Sequence, residues 1–131
     1  MAFLRVDPSG GEPVFQQIVD HVKREIATGR LKPEDRLPSV RDLAKELVIN
    51  PNTIARAYQV LEAEGVTYSR RGTGTFIAER KAVMKGDERR RRFREAIEMA
   101  LADAFHLGVS EEEARRAFEA AMKRFRLVED R

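Results

Sequence analysis

Asn52, Thr53, Arg56 and Gln59 have the types and spacing to do a defined chemistry. Turned outward from the first two turns of a helix, they are the side chains that read base edges in a major groove. Ile54, Ala57, Tyr58 and Leu61 fall between them at i, i+3, i+4 and i+7, the apolar stripe such a helix would bury. A polar helix face is ordinarily a solvated one. Two things argue otherwise here: no acidic residue stands among these four positions, and the neighbouring segments suit presentation to a duplex.

Those segments run over residues 37–77. Ser39 is a helix cap with Asp42 at capping-box spacing, and Pro38 stands just before it. Val40, Leu43, Ala44 and Leu47 give a short helix one buried face, with Arg41 exposed on its first turn. A tight turn follows, then Asn50 as cap and Pro51 at the first helical position of the reading helix. Gly65 ends that helix. Residues 66–69 and 75–77 have strand composition. Arg70-Arg71-Gly72-Thr73-Gly74 between them reads as a hairpin tip whose arginines suit phosphate or a minor groove, where glycine lets the backbone come close. Helix, tight turn, helix and hairpin make a winged helix-turn-helix.

Three strings in this order resemble the GntR family of bacterial transcription regulators: Leu37-Pro38-Ser39-Val40-Arg41-Asp42-Leu43-Ala44, then Asn50-Pro51-Asn52-Thr53-Ile54 with Arg56-Ala57-Tyr58, then Gly72-Thr73-Gly74-Thr75-Phe76. The Asn-Pro-Asn-Thr opening and the short tail resemble its YtrA subfamily. The resemblance covers about residues 12–78 closely, and the tail by length and helical character. It implies a homodimeric DNA reader, usually a repressor released by a small effector, and for the subfamily a membrane-transport operon. By family position Arg41, Asn52, Thr53 and Arg56 match DNA-contacting places. The expected contact set is these four with Asn50 at the helix entrance and Arg70, Arg71, Gly72, Thr73 and Gly74 in the hairpin. Two positions depart from the family pattern, both where glycine is usual: Val48 in the inter-helix turn and Glu34 in a Pro-Gly-Asp turn. A β-branched residue in the left-handed region costs about 1–2 kcal/mol, so the turn at Val48 is expected to take another backbone shape.

Before the reader, Phe3-Leu4-Arg5-Val6 suggests a short strand packed on the body, and Asp7-Pro8-Ser9-Gly10-Gly11 a turn. Pro13 opens a supporting helix to about Thr28, with Phe15, Ile18, Val19, Val22 and Ile26 as its apolar face and Gly29 as its stop. His21 beside that stripe reads as a surface or boundary residue. Residues 30–38 read as a loop, in which Glu34 and Asp35 are turn formers.

Residues 79–87 read as a linker, with Asp87 a candidate cap for the helix that follows. Arg89-Arg90-Arg91-Arg92 and Arg94 point round most of that helix and so form no single stripe; they read as a solvated, partly paired helix start. Phe93, Ile97, Ala100, Leu101, Ala104 and Phe105 form its apolar face up to a stop at Gly108. Ser110 with Glu113 opens a final helix whose stripe is Ala114, Ala117, Phe118, Ala121, Met122 and Phe125. Such a hairpin cannot bury both faces alone, so pairing with a second copy is expected through Phe93, Ile97, Ala100, Leu101, Ala104, Phe118, Ala121, Met122 and Phe125. The alternative is that both helices fold back on the reader. About 45 residues of helical hairpin cannot enclose a pocket of the usual few hundred Å³. A small effector would therefore bind at the dimer interface or between tail and reader.

The expected fold class is mostly α with a small β-hairpin wing: a winged helix-turn-helix over 1–78, the linker at 79–87 and a C-terminal helical hairpin over 88–131. The 131 residues carry a net charge of +3, with 36% charged and 42% hydrophobic side chains. Residues 1–79 hold 11 Lys/Arg against 11 Asp/Glu and the remainder 14 against 11, so the excess lies in the tail. The DNA reading thus rests on where charges sit, not on bulk charge. With no cysteine there is no disulfide, thiol nucleophile or Cys-based zinc site. No catalytic constellation is present, and no cofactor or metal is expected; Glu111, Glu112 and Glu113 near His106 are accounted for by capping and the helix dipole. Some relatives fuse this reader to a pyridoxal-phosphate enzyme domain, for which the chain is too short. No apolar run spans a membrane and no signal segment opens the chain, so a cytoplasmic location is expected. The runner-up function is a winged-helix protein-interaction module without DNA binding.

Overall fold

Side chains cap three of the helices. In the computed structural model, which describes residues 6–7, 9–79 and 86–127, Ser39 Oγ accepts the Asp42 N–H at 3.0 Å. Asn50 Oδ1 accepts the Asn52 N–H at 2.8 Å, and Ser110 Oγ the Glu113 N–H at 3.1 Å. Each satisfies one of the donors a helix start leaves open. The chain divides into two units, Met1–Arg80 and Lys81–Arg131.

The first unit holds α1 (Val14–Ala27), α2 (Val40–Leu47), α3 (Pro51–Ala63), β1 (Thr67–Arg70) and β2 (Gly74–Ile77). Helix α3 is central, with α1 and α2 packed on it and β1 beside it. Ile18, Val19 and Val22 of α1 meet Leu43 and Ala44 of α2, Ile54, Ala57 and Leu61 of α3, and Ile77 of β2 in one buried cluster. The Tyr58 hydroxyl donates to the Pro38 carbonyl at 2.7 Å, tying α3 to the segment that opens α2. Burial pushes its pKa well above the ordinary tyrosine value, so it stays a donor.

Several expectations change in detail. Pro13 is the cap of α1 and not its first residue. The strands pair Thr67 with Ile77 through Arg70 with Gly74, which leaves Arg71, Gly72 and Thr73 as the tip. Residues 34–37 lie antiparallel to β2, where sequence suggests only a loop. Glu34 N–H donates to the Ile77 carbonyl at 2.8 Å, Ile77 N–H to Asp35 at 2.9 Å, and Leu37 N–H to Thr75 at 2.9 Å. Asp35 is a turn former as read, its carboxylate accepting the Lys32 N–H at 2.8 Å. The turn after Val6 forms as well, Gly10 N–H donating to the Asp7 carbonyl at 3.1 Å. The suggested strand over 3–6 lies, apart from Val6, outside the described residues, as does 80–85 of the linker.

The turn between α2 and α3 corrects the reading of Val48. Val48 does take the left-handed conformation, φ 54° and ψ 53°, and Glu34 does too, φ 75°. The chain must leave α2 and cap α3 within two residues, and it does so by a left-handed helix end. Ile49 N–H bonds the Ala44 carbonyl at 3.0 Å and Val48 N–H that of Lys45 at 3.3 Å. Because Val48 is 89% exposed, its side chain contributes no packing and the backbone strain stands alone. Val48→Gly removes that strain at the cost of a looser unfolded chain. It should raise stability by about 1 kcal/mol net, read as a higher urea midpoint at unchanged slope; a lower midpoint would mean the turn is not strained.

His21 corrects a second reading. It is 8% exposed, with Nε2 3.4 Å from the equally buried Glu25 carboxylate one turn on. Burial lowers its pKa most, Glu25 opposes that, and Arg24 and Arg30 add to it. The unfolded chain therefore takes up this proton at a higher pH than the fold does. Stability is kept above about pH 6.5 and lost as pH falls through the depressed value. His21→Gln should lose less stability than the wild type on acidification from neutral pH, and parallel urea-midpoint curves would refute this.

The second unit holds α4 (Gly86–Leu107) and α5 (Glu111–Met122), joined through Gly108 at φ 73°. Asp87 lies inside the first turn of α4, where it pairs with Arg90 at 2.7 Å, and is not its cap. Arg91 reaches Glu95 at 3.6 Å, so the arginine run is partly paired. Helix α5 ends at Met122; Phe125 is half-buried in the bend beyond it and is not part of the helical stripe. No glycine or proline marks that end in sequence. Close contact between α4 and α5 is sparse, and neither helix has a buried residue. Phe93, Leu101, Phe105, Phe118 and Met122 are exposed, while Ile97, Ala104 and Ala121 are half-buried.

Candidate nucleic-acid interface

Helix α3 owes its outer face to the burial of its inner one. Ile54, Ala57, Tyr58 and Leu61 are buried, which turns Asn52, Arg56 and Gln59 to solvent and leaves Thr53 half-buried at the edge. Asn50 has its side-chain oxygen committed to the cap. Arg41 is exposed on the first turn of α2, the helix packed against α3.

The basic side chains here differ in their partners. Arg41, Arg56 and Arg71 make no ion pair among the described residues. By contrast Arg30 reaches Glu25 at 3.7 Å, and Arg115 and Arg116 pair with Glu111 and Glu112 at 2.8 and 3.1 Å. A guanidinium without an acid partner keeps its full charge and its donors for an incoming anion or base edge.

In the wing the two neighbouring arginines separate. Arg71 is exposed at the tip, next to Gly72 at φ 73°. Arg70 belongs to β1; its guanidinium donates to the Tyr68 hydroxyl at 2.8 Å and to Glu34 at 3.3 Å and lies 4.6 Å from the Phe76 ring centroid. Tyr68 in turn donates to Glu34, and that bond raises its pKa. Glu34, Tyr68 and Arg70 thus fasten the wing to the segment that precedes α2. The carboxylate that glycine would lack accompanies the left-handed backbone at 34. Thr73 is exposed at the tip, its hydroxyl 3.4 Å from the Arg71 carbonyl. Gly74 has φ 136°, and a Cβ there would stand 2.8 Å from Arg36 Nε. Its missing side chain makes room for the Arg36 side chain.

Three contributors were invisible in local sequence. Arg36 belongs to a segment read as loop. Tyr68 reads as one more strand residue. Phe15 reads as part of the apolar face of α1, yet the Arg56 guanidinium carbon lies 3.9 Å from its ring centroid. Among the described residues no group of three His, Asp or Glu side chains could hold a metal, and no helix is long and apolar enough to cross a membrane.

Comparison with known proteins agrees with this geometry. The profile of "Bacterial regulatory proteins, gntR family" matches residues 15–77. The HTH-type transcriptional repressor YtrA of Bacillus subtilis (strain 168) is 36% identical over 106 residues, 81% of this chain and 82% of that protein. A transcriptional antiterminator from Listeria monocytogenes EGD-e superposes with a TM-score of 0.77 at 29% identity, over 98% of each chain. AraR(DBD), solved in complex with operator ORX1, superposes with a TM-score of 0.53 at 26% identity, over 60% of this chain and 100% of that one. With the profile matched from α1 through the wing and the YtrA likeness continuing into the tail, the chain belongs to the gntR family of bacterial regulatory proteins.

Proposed function

We propose that this regulator is a homodimeric repressor that binds a two-fold operator in double-stranded DNA, each α3 entering the major groove of one half-site. The observation that carries the reading is the outer face of α3, where Asn52, Arg56 and Gln59 are exposed and Arg56 has no acid partner among the described residues. The AraR likeness supports it, since that domain was solved on an operator. Asn50, Asn52, Thr53 and Arg56 are the base-side set; Arg41, Arg71, Gly72, Thr73 and Gly74 contact the backbone or a minor groove, and Arg70 holds the wing in place.

Residues 1–78 form the reader, 79–87 the linker and 88–131 the dimerisation region. The exposed Phe93, Leu101, Phe118 and Met122 support that last role, because a helix pair with no buried residue has its apolar faces still to cover. A small effector would sit at that interface. The repressor role follows YtrA, and the regulated operon, by subfamily analogy, serves membrane transport. Such a regulator works in the cytoplasm, where bacterial DNA lies.

Selection of bound duplexes from a random pool, at a stated near-physiological salt, tests the reading. One enriched palindrome is the expected result, its half-site spacing reporting the separation of the two α3 helices. A folded dimer that enriches nothing would point instead to a protein-interaction module.

A further inference from the structure

Phe15 stands in the first turn of α1, half-buried against the core, and presents its ring to α3. The Arg56 guanidinium carbon lies over the ring, 3.9 Å from its centroid. We propose that Phe15 is a positioning residue for sequence reading: its ring holds the Arg56 guanidinium flat and sets the direction of its N–H fork toward the base pair. The proposal rests on the reading of Arg56 as a base-contacting residue and adds the group that aims it.

The chemistry favours a ring over an acid for this task. A carboxylate would orient Arg56 by consuming its donors and neutralising its charge. An aromatic face attracts the cation and leaves all five N–H groups, which lie in the guanidinium plane, open at its edge. Arginine loses much rotamer freedom when it forks onto a base, and a side chain already stacked has less to lose. The ring is itself well placed, because Ile18, Val19 and Val22 of the same helix are buried in the cluster that includes α3. Core packing is thereby transmitted to the direction of one side chain on the reading face.

The test uses the full chain, the palindrome selected above, its single-base-pair variants and random duplex, at fixed salt. Phe15→Leu keeps an apolar side chain and removes the ring face; Phe15→Tyr keeps the face. Phe15→Leu is expected to lower discrimination about fivefold, the equivalent of about 1 kcal/mol. The loss should fall at the base pairs where Arg56→Ala lowers discrimination, with random-duplex affinity and salt slope unchanged. Phe15→Tyr should read like the wild type, and Phe15→Leu should add nothing to Arg56→Ala. Urea titrations of each variant show whether the fold is intact. Tighter specific binding by Phe15→Leu would mean the ring parks Arg56 away from DNA and would overturn the proposal. So would an equal loss on every duplex, or a loss that persists in the Arg56→Ala background. A silent Phe15→Leu beside a selective Arg56→Ala overturns the proposal alone; an Arg56→Ala that weakens all duplexes equally overturns the base-reading role as well.

Discussion

A chain carrying Leu101→Glu and Phe118→Glu together is expected to sediment as a monomer and to bind its palindrome at least about 100-fold more weakly. The size of the effect comes from linkage. In a dimer the second reader meets its half-site at the high effective concentration set by the first, a gain of about 10²–10⁴ over either alone. Both residues are large, apolar and about half exposed, on helices with no buried residue. Glutamate on a solvated surface would cost little, whereas in the middle of a self-complementary interface it meets like charge and loses its water. The salt slope should fall by about half, because half the phosphate contacts disappear. Affinity for an isolated half-site should be unchanged, since the reader has its own core. Unchanged sedimentation would remove these faces from the interface. A monomer that still binds the palindrome at full strength would remove the two-fold mechanism.

Arg56→Ala is expected to lower discrimination at one or two base pairs of each half-site by about 1–3 kcal/mol, roughly 5–150-fold, the range for a bidentate base contact. Binding to random duplex should fall far less. Arg71→Ala offers the contrast: an exposed tip arginine with no acid partner among the described residues should affect all sequences alike and reduce the salt slope by about one. The two arginines are therefore separable by the pattern of loss. Competition titrations against single-base-pair variants at two salt concentrations read both. Equal loss on every duplex for Arg56→Ala would leave α3 a phosphate-contacting helix. Arg70→Ala belongs to neither class, because its guanidinium is held by Tyr68 and Glu34 and its loss acts by freeing the wing.

Much of this architecture is legible residue by residue. Ser39, Asn50 and Ser110 announce their helices because a cap bonds a backbone donor only two or three residues away. Gly29, Gly65 and Gly108 end helices in the left-handed region, a property of the single residue. The stripe Ile54, Ala57, Tyr58 and Leu61 assigns the buried side of α3, and with it the outward set Asn52, Arg56 and Gln59. The caps and stops rest on interactions within about one helical turn and the stripe on the 3.6-residue period, both of which linear spacing records.

Tertiary structure decided the rest, through contacts across long stretches of chain. Val48 occupies a left-handed position that its own preference disfavours, because α2 and α3 are both anchored in one core and only Val48 and Ile49 separate the end of α2 from the Asn50 cap of α3. Glu34 accepts the same strain while its carboxylate holds Tyr68 and Arg70, more than thirty residues on. Adjacent Arg70 and Arg71 are equivalent in sequence, and only the register of β1 on β2 ties one down and leaves the other at the tip. His21 sits beside the apolar stripe of α1, and its burial belongs to the packed fold, which spacing along one helix does not record. Phe15 and Arg56 meet only because the two helices pack, so the sequence by itself names the arginine and only the fold supplies the ring that orients it.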